Sequence, residues 1–164
     1  MKFIYSSNKS LITDFQDAVF NNLPEIGGLW MPEKIPILDD SVINNLDKCS
    51  FIEIAKIVLS KFITDIPIED LEMMIEKSYN FEPELKKLDK DKYILELFHG
   101  PSLAFKDFGA MFMGNLYSYL SKENINIITA TSGDTGGAVA NGFLGTKDID
   151  VCILYPKGKI SEVQ

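Results

Sequence analysis

The chain contains no arginine: all 16 basic residues are lysine, and its 164 residues include one histidine, two cysteines and one tryptophan. Without a guanidinium fork, a phosphate or carboxylate bound here must rely on backbone N–H groups, hydroxyls or lysine. Cys49 and Cys152 stand far apart with no C-x-x-C spacing, and a lone histidine, His99, supplies no metal-ligand set. Neither a disulfide framework nor a metal centre is expected. Cys152, in the run Val151-Cys152-Ile153-Leu154, reads as a small packed hydrophobe, and the cysteine usage points to a reducing cytoplasm. No apolar run reaches the length of a membrane span, and Met1-Lys2-Phe3-Ile4-Tyr5-Ser6-Ser7-Asn8 turns polar too soon for a signal peptide. A net charge of −8 argues against nucleic acid, because phosphate backbones demand clustered cations. The chain lacks repeats and low-complexity segments. At 46% hydrophobic and 24% charged, it can build an ordinary globular core.

Residues 1–88 read as helices joined by turns. Thr13-Asp14-Phe15-Gln16 has the form of a capping box and opens a short helix ending near Asn22. A connection rich in glycine and proline follows at 23–36, with Gly27-Gly28, Pro24, Pro32 and Pro36. Ser50-Phe51-Ile52-Glu53 is a second capping box; after it Phe51, Ile54, Ala55, Val58, Leu59 and Phe62 lie on one helical face. A third helix opens near Pro67 and buries Leu71, Met74 and Ile75. The polar stretch 84–92 is the expected boundary.

From 89 to 164 strand and helix alternate. Apolar runs predict strands at 93–98, 125–130 and 149–155, with helices at 107–122 and 134–144 between them. The expected fold is therefore α/β, a helical N-terminal subdomain (1–88) followed by an incomplete βαβαβ parallel-sheet unit (89–164) with right-handed crossovers. Ligands in such sheets bind beyond the carboxyl ends of the strands, near helix N-termini. Ser161-Glu162-Val163-Gln164 has the S-x-x-Q form of a capping box whose helix does not follow, so the sequence is expected to be the N-terminal portion of a longer protein, a disordered tail being the alternative.

Two loops at that edge carry candidate chemistry. In Leu103-Ala104-Phe105-Lys106-Asp107-Phe108, apolar neighbours and the positive end of the following helix dipole disfavour an ammonium on Lys106, which would make its amine a nucleophile. Asp107 opposes this unless it caps the helix. An ordinary solvated lysine fits the spacing equally well. The second loop, Thr131-Ser132-Gly133-Asp134-Thr135-Gly136-Gly137, offers N–H groups and hydroxyls to an anion, but a plain strand-to-helix turn capped by Asp134 has the same sequence form. His99 suits a hydrogen-bonded structural role, and Trp30 beside Gly27-Gly28 marks a packed loop.

Taken together, the runs from His99 to Gly109, from Ala130 to Gly136 and Leu154-Tyr155-Pro156-Lys157-Gly158, with Gly27-Gly28-Leu29-Trp30-Met31-Pro32, resemble the threonine synthases, pyridoxal-phosphate enzymes of fold type II. The resemblance spans nearly the whole chain. It implies that Lys106 forms the Schiff base with pyridoxal 5'-phosphate, with Phe105 and Asp107 also at the cofactor. It implies that Thr131, Ser132, Gly133, Asp134, Thr135 and Gly136 anchor the substrate's α-carboxylate. The implied reaction converts O-phospho-L-homoserine and water to L-threonine and phosphate, the last step of threonine biosynthesis, with Lys106 as proton shuttle. The implied partner is a small-molecule substrate, with no nucleic acid and no membrane. Ser102 stands where the family often has threonine. Asp134 stands where many fold type II enzymes place asparagine, so it is expected to cap its helix or meet a cation rather than touch the cofactor's phenolic oxygen. The cofactor's phosphate cup and ring-nitrogen partner have no motif here and would lie beyond Gln164, so this chain alone is expected to be inactive. The alternatives are another fold type II reaction, such as threonine dehydration, or a non-catalytic module binding a phosphorylated ligand.

Overall fold

Ser50 caps the helix that its spacing to Glu53 predicts. Its hydroxyl accepts from Glu53 N at 3.3 Å, while the Glu53 carboxylate accepts from Ser50 N at 2.7 Å. The computed structural model describes residues 1–21, 23–24 and 27–161. The end of the first expected helix at Asn22 and the 161–164 capping box beyond Ser161 lie outside the described residues. The chain divides into two compact units, Met1–Met73 and Met74–Gln164.

The first unit is not purely helical. Three short strands, β1 (Phe3–Tyr5), β2 (Asn8–Thr13) and β3 (Trp30–Pro32), form an antiparallel sheet in the order β2-β1-β3. Periodicity misses it because β1 is three residues long and its pairing with β2 slips between Ile4 and Tyr5. Pro32 is tolerated because β3 is an edge strand. Phe3 and Tyr5 are buried; their rings meet Phe15 at 5.9 Å and Trp30 at 5.1 Å between centroids. Gly28 is required beside them, since a Cβ there would stand 2.5 Å from the Tyr5 ring. The first helix, α1 (Phe15–Phe20), is capped by Asp14 through Asp17 N at 3.0 Å, rather than by Thr13. After α2 (Asp40–Ile43) and a 3-10 turn at Leu46–Lys48 come α3 (Phe51–Phe62) and α4 (Ile68–Ser78). The anticipated face of α3 is half-buried, whereas Leu71, Met74 and Ile75 of α4 are buried as predicted.

In the second unit the polar 84–92 stretch is not a linker. It forms β4 (Glu84–Asp89), which pairs antiparallel with β5 (Lys92–Glu96) in a hairpin. The strand expected at 93–98 therefore belongs to this hairpin and not to the parallel sheet. The architecture remains mixed α/β. Helix α5 (Lys106–Leu120), β6 (Ile125–Ala130), α6 (Asp134–Gly142) and β7 (Ile149–Leu154) follow, each within two residues of expectation. Strands β6 and β7 pair in parallel, Ile125 opposite Ile149 through Ala130 opposite Leu154. Their side chains alternate as the pleat demands, which leaves Ile128, Cys152 and Leu154 exposed. Cys152 is thus on the open face of the sheet, not packed in a core.

Helices α5 and α6 meet through small residues. A Cβ on Gly114 would lie 1.9 Å from the Gly142 carbonyl oxygen, and one on Gly142 would lie 2.5 Å from the Ala110 carbonyl. The Gly/Ala content of α6 therefore serves backbone contact with a helix, while Gly136 gives close approach to Ile153 of the sheet. On its other side α5 presents Phe108 and Phe112 to Tyr79, and Phe108 also to Phe81, with centroids 4.8–6.5 Å apart. Asn115 donates to Ser78 Oγ at 3.1 Å and to Met111 O at 3.0 Å. No described helix is long and apolar enough to cross a membrane.

Candidate active site

The glycine contact between α5 and α6 brings their N-termini together, and with them the two loops singled out by sequence. Lys106 is the first residue of α5 and Asp134 the first of α6; Lys106 Nζ lies 3.9 Å from Asp134 Oδ2. The same nitrogen stands 4.6 Å from the centre of the Phe105 ring. The Lys106 side chain is 32% exposed, so it is neither sealed nor free in solvent. The anticipated apolar enclosure is incomplete within this chain, because Phe105 and Leu103 are 61% and 70% exposed. Of the expected roles for Asp134, the structure shows the cation contact. Its position inside the first helical turn follows Gly133, which takes the N-cap place without a side-chain cap.

Gly133 has φ +152° and ψ −82°, a conformation that L side chains rarely adopt, so the turn needs glycine there. Thr131 Oγ1 accepts from Gly133 N at 3.1 Å and from Gly136 N at 3.3 Å. Its hydroxyl oxygen therefore shapes the turn from within, and its methyl fills the space a Cβ on Gly136 would occupy, 2.7 Å away. Two concavities flank the turn. One, of about 490 Å³, is bounded by Ser102, Leu103, Gly133, Asp134 and Asn141. The other, of about 420 Å³, is bounded by Thr131, Gly136, Ile153 and Tyr155. Both are of a size that holds small ligands.

Asp107 is fully buried and is not the N-cap of α5; that place belongs to Phe105, which makes no side-chain cap bond. Its carboxylate turns back to Ser102, with Oδ2 accepting from Ser102 N at 2.9 Å and Oδ1 from Ser102 Oγ at 2.6 Å. Leu103, inside the loop so closed, has φ +57°. A left-handed leucine costs roughly 1–2 kcal/mol, so surrounding bonds must hold it. His99 bonds Glu96 Oε2 at 3.0 Å and lies 3.8 Å from Glu84 Oε1, while Lys86 pairs with Glu84. This is the hydrogen-bonded role its sequence context suggests.

Sequence reasoning thus singled out Lys106, Asp134 and the glycine turn, which the fold brings together. It did not single out Ser102 as a partner of Asp107, Gly100 beneath that pair, or Asn141 at the rim. The spacing Ala110-x-x-x-Gly114 was the available signal for the helix contact; nothing local announces the Ser102 turn.

Residues 2–79 match the family model described as threonine synthase N terminus. The whole chain is 45% identical over 168 residues to the threonine synthase of Buchnera aphidicola subsp. Acyrthosiphon pisum (strain APS), and spans 39% of that relative. Over 92% of the chain it is 41% identical to the threonine synthase of Escherichia coli (strain K12), covering 36% of it. The crystal structure of threonine synthase from Escherichia coli superposes with a TM-score of 0.89 at 39% identity, over 98% of this chain and 38% of that one. The structure of PLP-bound threonine synthase from Brucella melitensis gives 0.92 at 34% identity, over 99% and 37%. The chain spans 36–39% of the length of these two curated relatives. In sequence and in fold, this chain resembles the N-terminal part of the threonine synthases.

Proposed function

We propose that the complete protein is a pyridoxal-phosphate-dependent threonine synthase, a carbon–oxygen lyase that converts O-phospho-L-homoserine and water to L-threonine and phosphate. The observation that carries this reading is the Lys106 amine held 3.9 Å from Asp134 at the mouth of the glycine turn. The residues present suit the cofactor. A primary amine at a helix start, an aromatic ring beneath it and adjoining concavities of 420–490 Å³ match an aldehyde-bearing aromatic phosphate in chemistry and size. When bound, pyridoxal phosphate supplies an electron sink for carbanions next to the amino-bearing carbon.

Lys106 is the group that would carry the cofactor and, as an amine, move protons near the reacting carbons, with the Asp134 carboxylate facing it at 3.9 Å. The turn at 131–136, at the positive end of the α6 dipole, is the natural seat for the substrate carboxylate, with Ser132 and Thr135 contributing hydroxyls. Thr131 serves this site by fixing the turn. We assign the unit Met74–Gln164 to the start of the cofactor domain and Met1–Met73 to the N-terminal subdomain of that enzyme, since a boundary at 88/89 would divide the β4–β5 hairpin. Free Cys49 and Cys152 suit a cytoplasmic setting.

Phosphate release from O-phospho-L-homoserine by the complete protein tests the reading. Lys106→Ala should lower turnover by at least about a thousandfold, the scale of losing a covalent and proton-transfer group together. Turnover by the variant within tenfold of the parent (roughly 1.4 kcal/mol in barrier) would overturn it.

A further inference from the structure

Lys106 and Asp107 are neighbours in the first turn of α5, so their side chains leave the helix about 100° apart. One faces the glycine turn; the other faces inward and spends both carboxylate oxygens on a single residue, Ser102. The loop runs directly over that carboxylate, for a Cβ on Gly100 would stand 2.5 Å from Asp107 Oδ2. Two backbone bonds close the same loop, Leu103 N to Gly100 O and Asp107 N to Ala104 O, each 3.1 Å. Lys106 is therefore part of a closed ring of chain from Ser102 to Asp107, in which a left-handed leucine is held in place.

We propose that Asp107 is a positioning residue for Lys106. By gripping Ser102 with both oxygens it fixes the 100–107 loop and the first turn of α5, and so sets where the lysine amine stands beside Asp134. This rests on reading Lys106 as the cofactor-bearing lysine, and it replaces a direct cofactor contact by Asp107, whose buried carboxylate faces Ser102. The site needs two acceptors for two donors, the Ser102 N–H and O–H. An amide satisfies the same geometry once the hydroxyl reverses, its one oxygen taking the place of Oδ2 to accept from Ser102 N and its Nδ2 donating to Ser102 Oγ. A methyl group satisfies neither.

The chemistry separates position from charge. The complete protein, as parent, Asp107→Asn, Asp107→Ala, Ser102→Ala and Ser102→Thr, is measured in two ways. Amide hydrogen exchange over 100–107 is read in the cofactor-free protein. The rate at which added pyridoxal phosphate is captured on Lys106 is read by borohydride trapping and peptide mapping. Asp107→Asn and Ser102→Thr should stay within about threefold of the parent in both, while Asp107→Ala should exchange faster and capture more slowly by about tenfold or more, the scale of losing hydrogen bonds to a charged acceptor. Ser102→Ala should fall between, and the Ser102→Ala/Asp107→Ala double variant should be no slower than Asp107→Ala alone, because the two residues act as one unit.

Capture by Asp107→Ala at the parent rate would overturn the proposal. So would Asp107→Asn as slow as Asp107→Ala, which would mean that the charge itself acts. Should Asp107→Ala fail to fold, Ser102→Ala with rescue by Ser102→Thr supports the proposal, and parent-like behaviour of Ser102→Ala refutes it. Trapping of the parent on a different lysine would defeat the reading of Lys106 instead; the exchange measurement still decides whether the pair holds the loop.

Discussion

Tyr79 shows how one side chain ties packing to chemistry at the residue scale. Its ring lies against Phe108 and Phe112 of α5, and burial pushes its phenol above the usual tyrosine value of 10. The sign of the consequence follows from proton binding. Below about pH 10 the phenol is neutral in both folded and unfolded chains, so its packing contribution is fully present. As pH rises past that point the unfolded chain loses its proton first, and stability falls until the folded phenol also ionises. Tyr117, shifted upward by the same cause, acts in the same direction. Denaturant unfolding of the complete protein at stepped pH should show this loss beginning near pH 10, and Tyr79→Phe should make it shallower. An identical slope in parent and variant would contradict the account. The residues named in advance fared unevenly. Lys106 and Asp134 were legible because sequence order places both at helix starts on one sheet edge. The Ser102–Asp107 pair was not, because it depends on a left-handed leucine and a missing Cβ at Gly100, and neither leaves a periodic mark.

Among the elements, the α5–α6 contact decides whether there is a site at all. The two helices approach until only hydrogen fits at Gly114 and Gly142, and this closeness puts Lys106 beside the 131–136 turn. Gly114→Ala would force a methyl to 1.9 Å from a carbonyl oxygen of the facing backbone, which a rotamer change cannot relieve. The expected cost is about 3 kcal/mol or more in denaturant unfolding of the complete protein. Gly109→Ala in the same helix meets nothing within 4 Å and should be neutral or stabilising by roughly 0.5–1 kcal/mol from helix propensity. Equal effects from the two substitutions would show that the helices do not meet there. Elements with local signatures were readable from the sequence: the Ser50–Glu53 box of α3, Pro67 before α4, and the apolar runs of β6 and β7. The β1–β2–β3 sheet was not, since β1 and β3 are three residues long and the β1–β2 pairing slips. Nor was β4, whose Glu-Leu-Lys-Lys-Leu-Asp sequence is exposed throughout and reads as linker. Pairing with a partner strand decided both, a neighbouring one for β4 and both a neighbouring and a distant one for β1.

At the scale of the whole molecule, the lack of arginine and the net charge of −8 give the glycine turn its importance. Within these 164 residues, which lack guanidinium groups, an anion can be held only by backbone N–H groups, hydroxyls and lysine. The fold supplies these at one place in the Met74–Gln164 unit, where two helix N-termini converge. The chain is similar to threonine synthases along its full length. The most direct measurement incubates the complete protein with pyridoxal phosphate, reduces it with borohydride and maps the labelled peptide by mass spectrometry. The account predicts one labelled site, Lys106; label on any other lysine, or none, would contradict it.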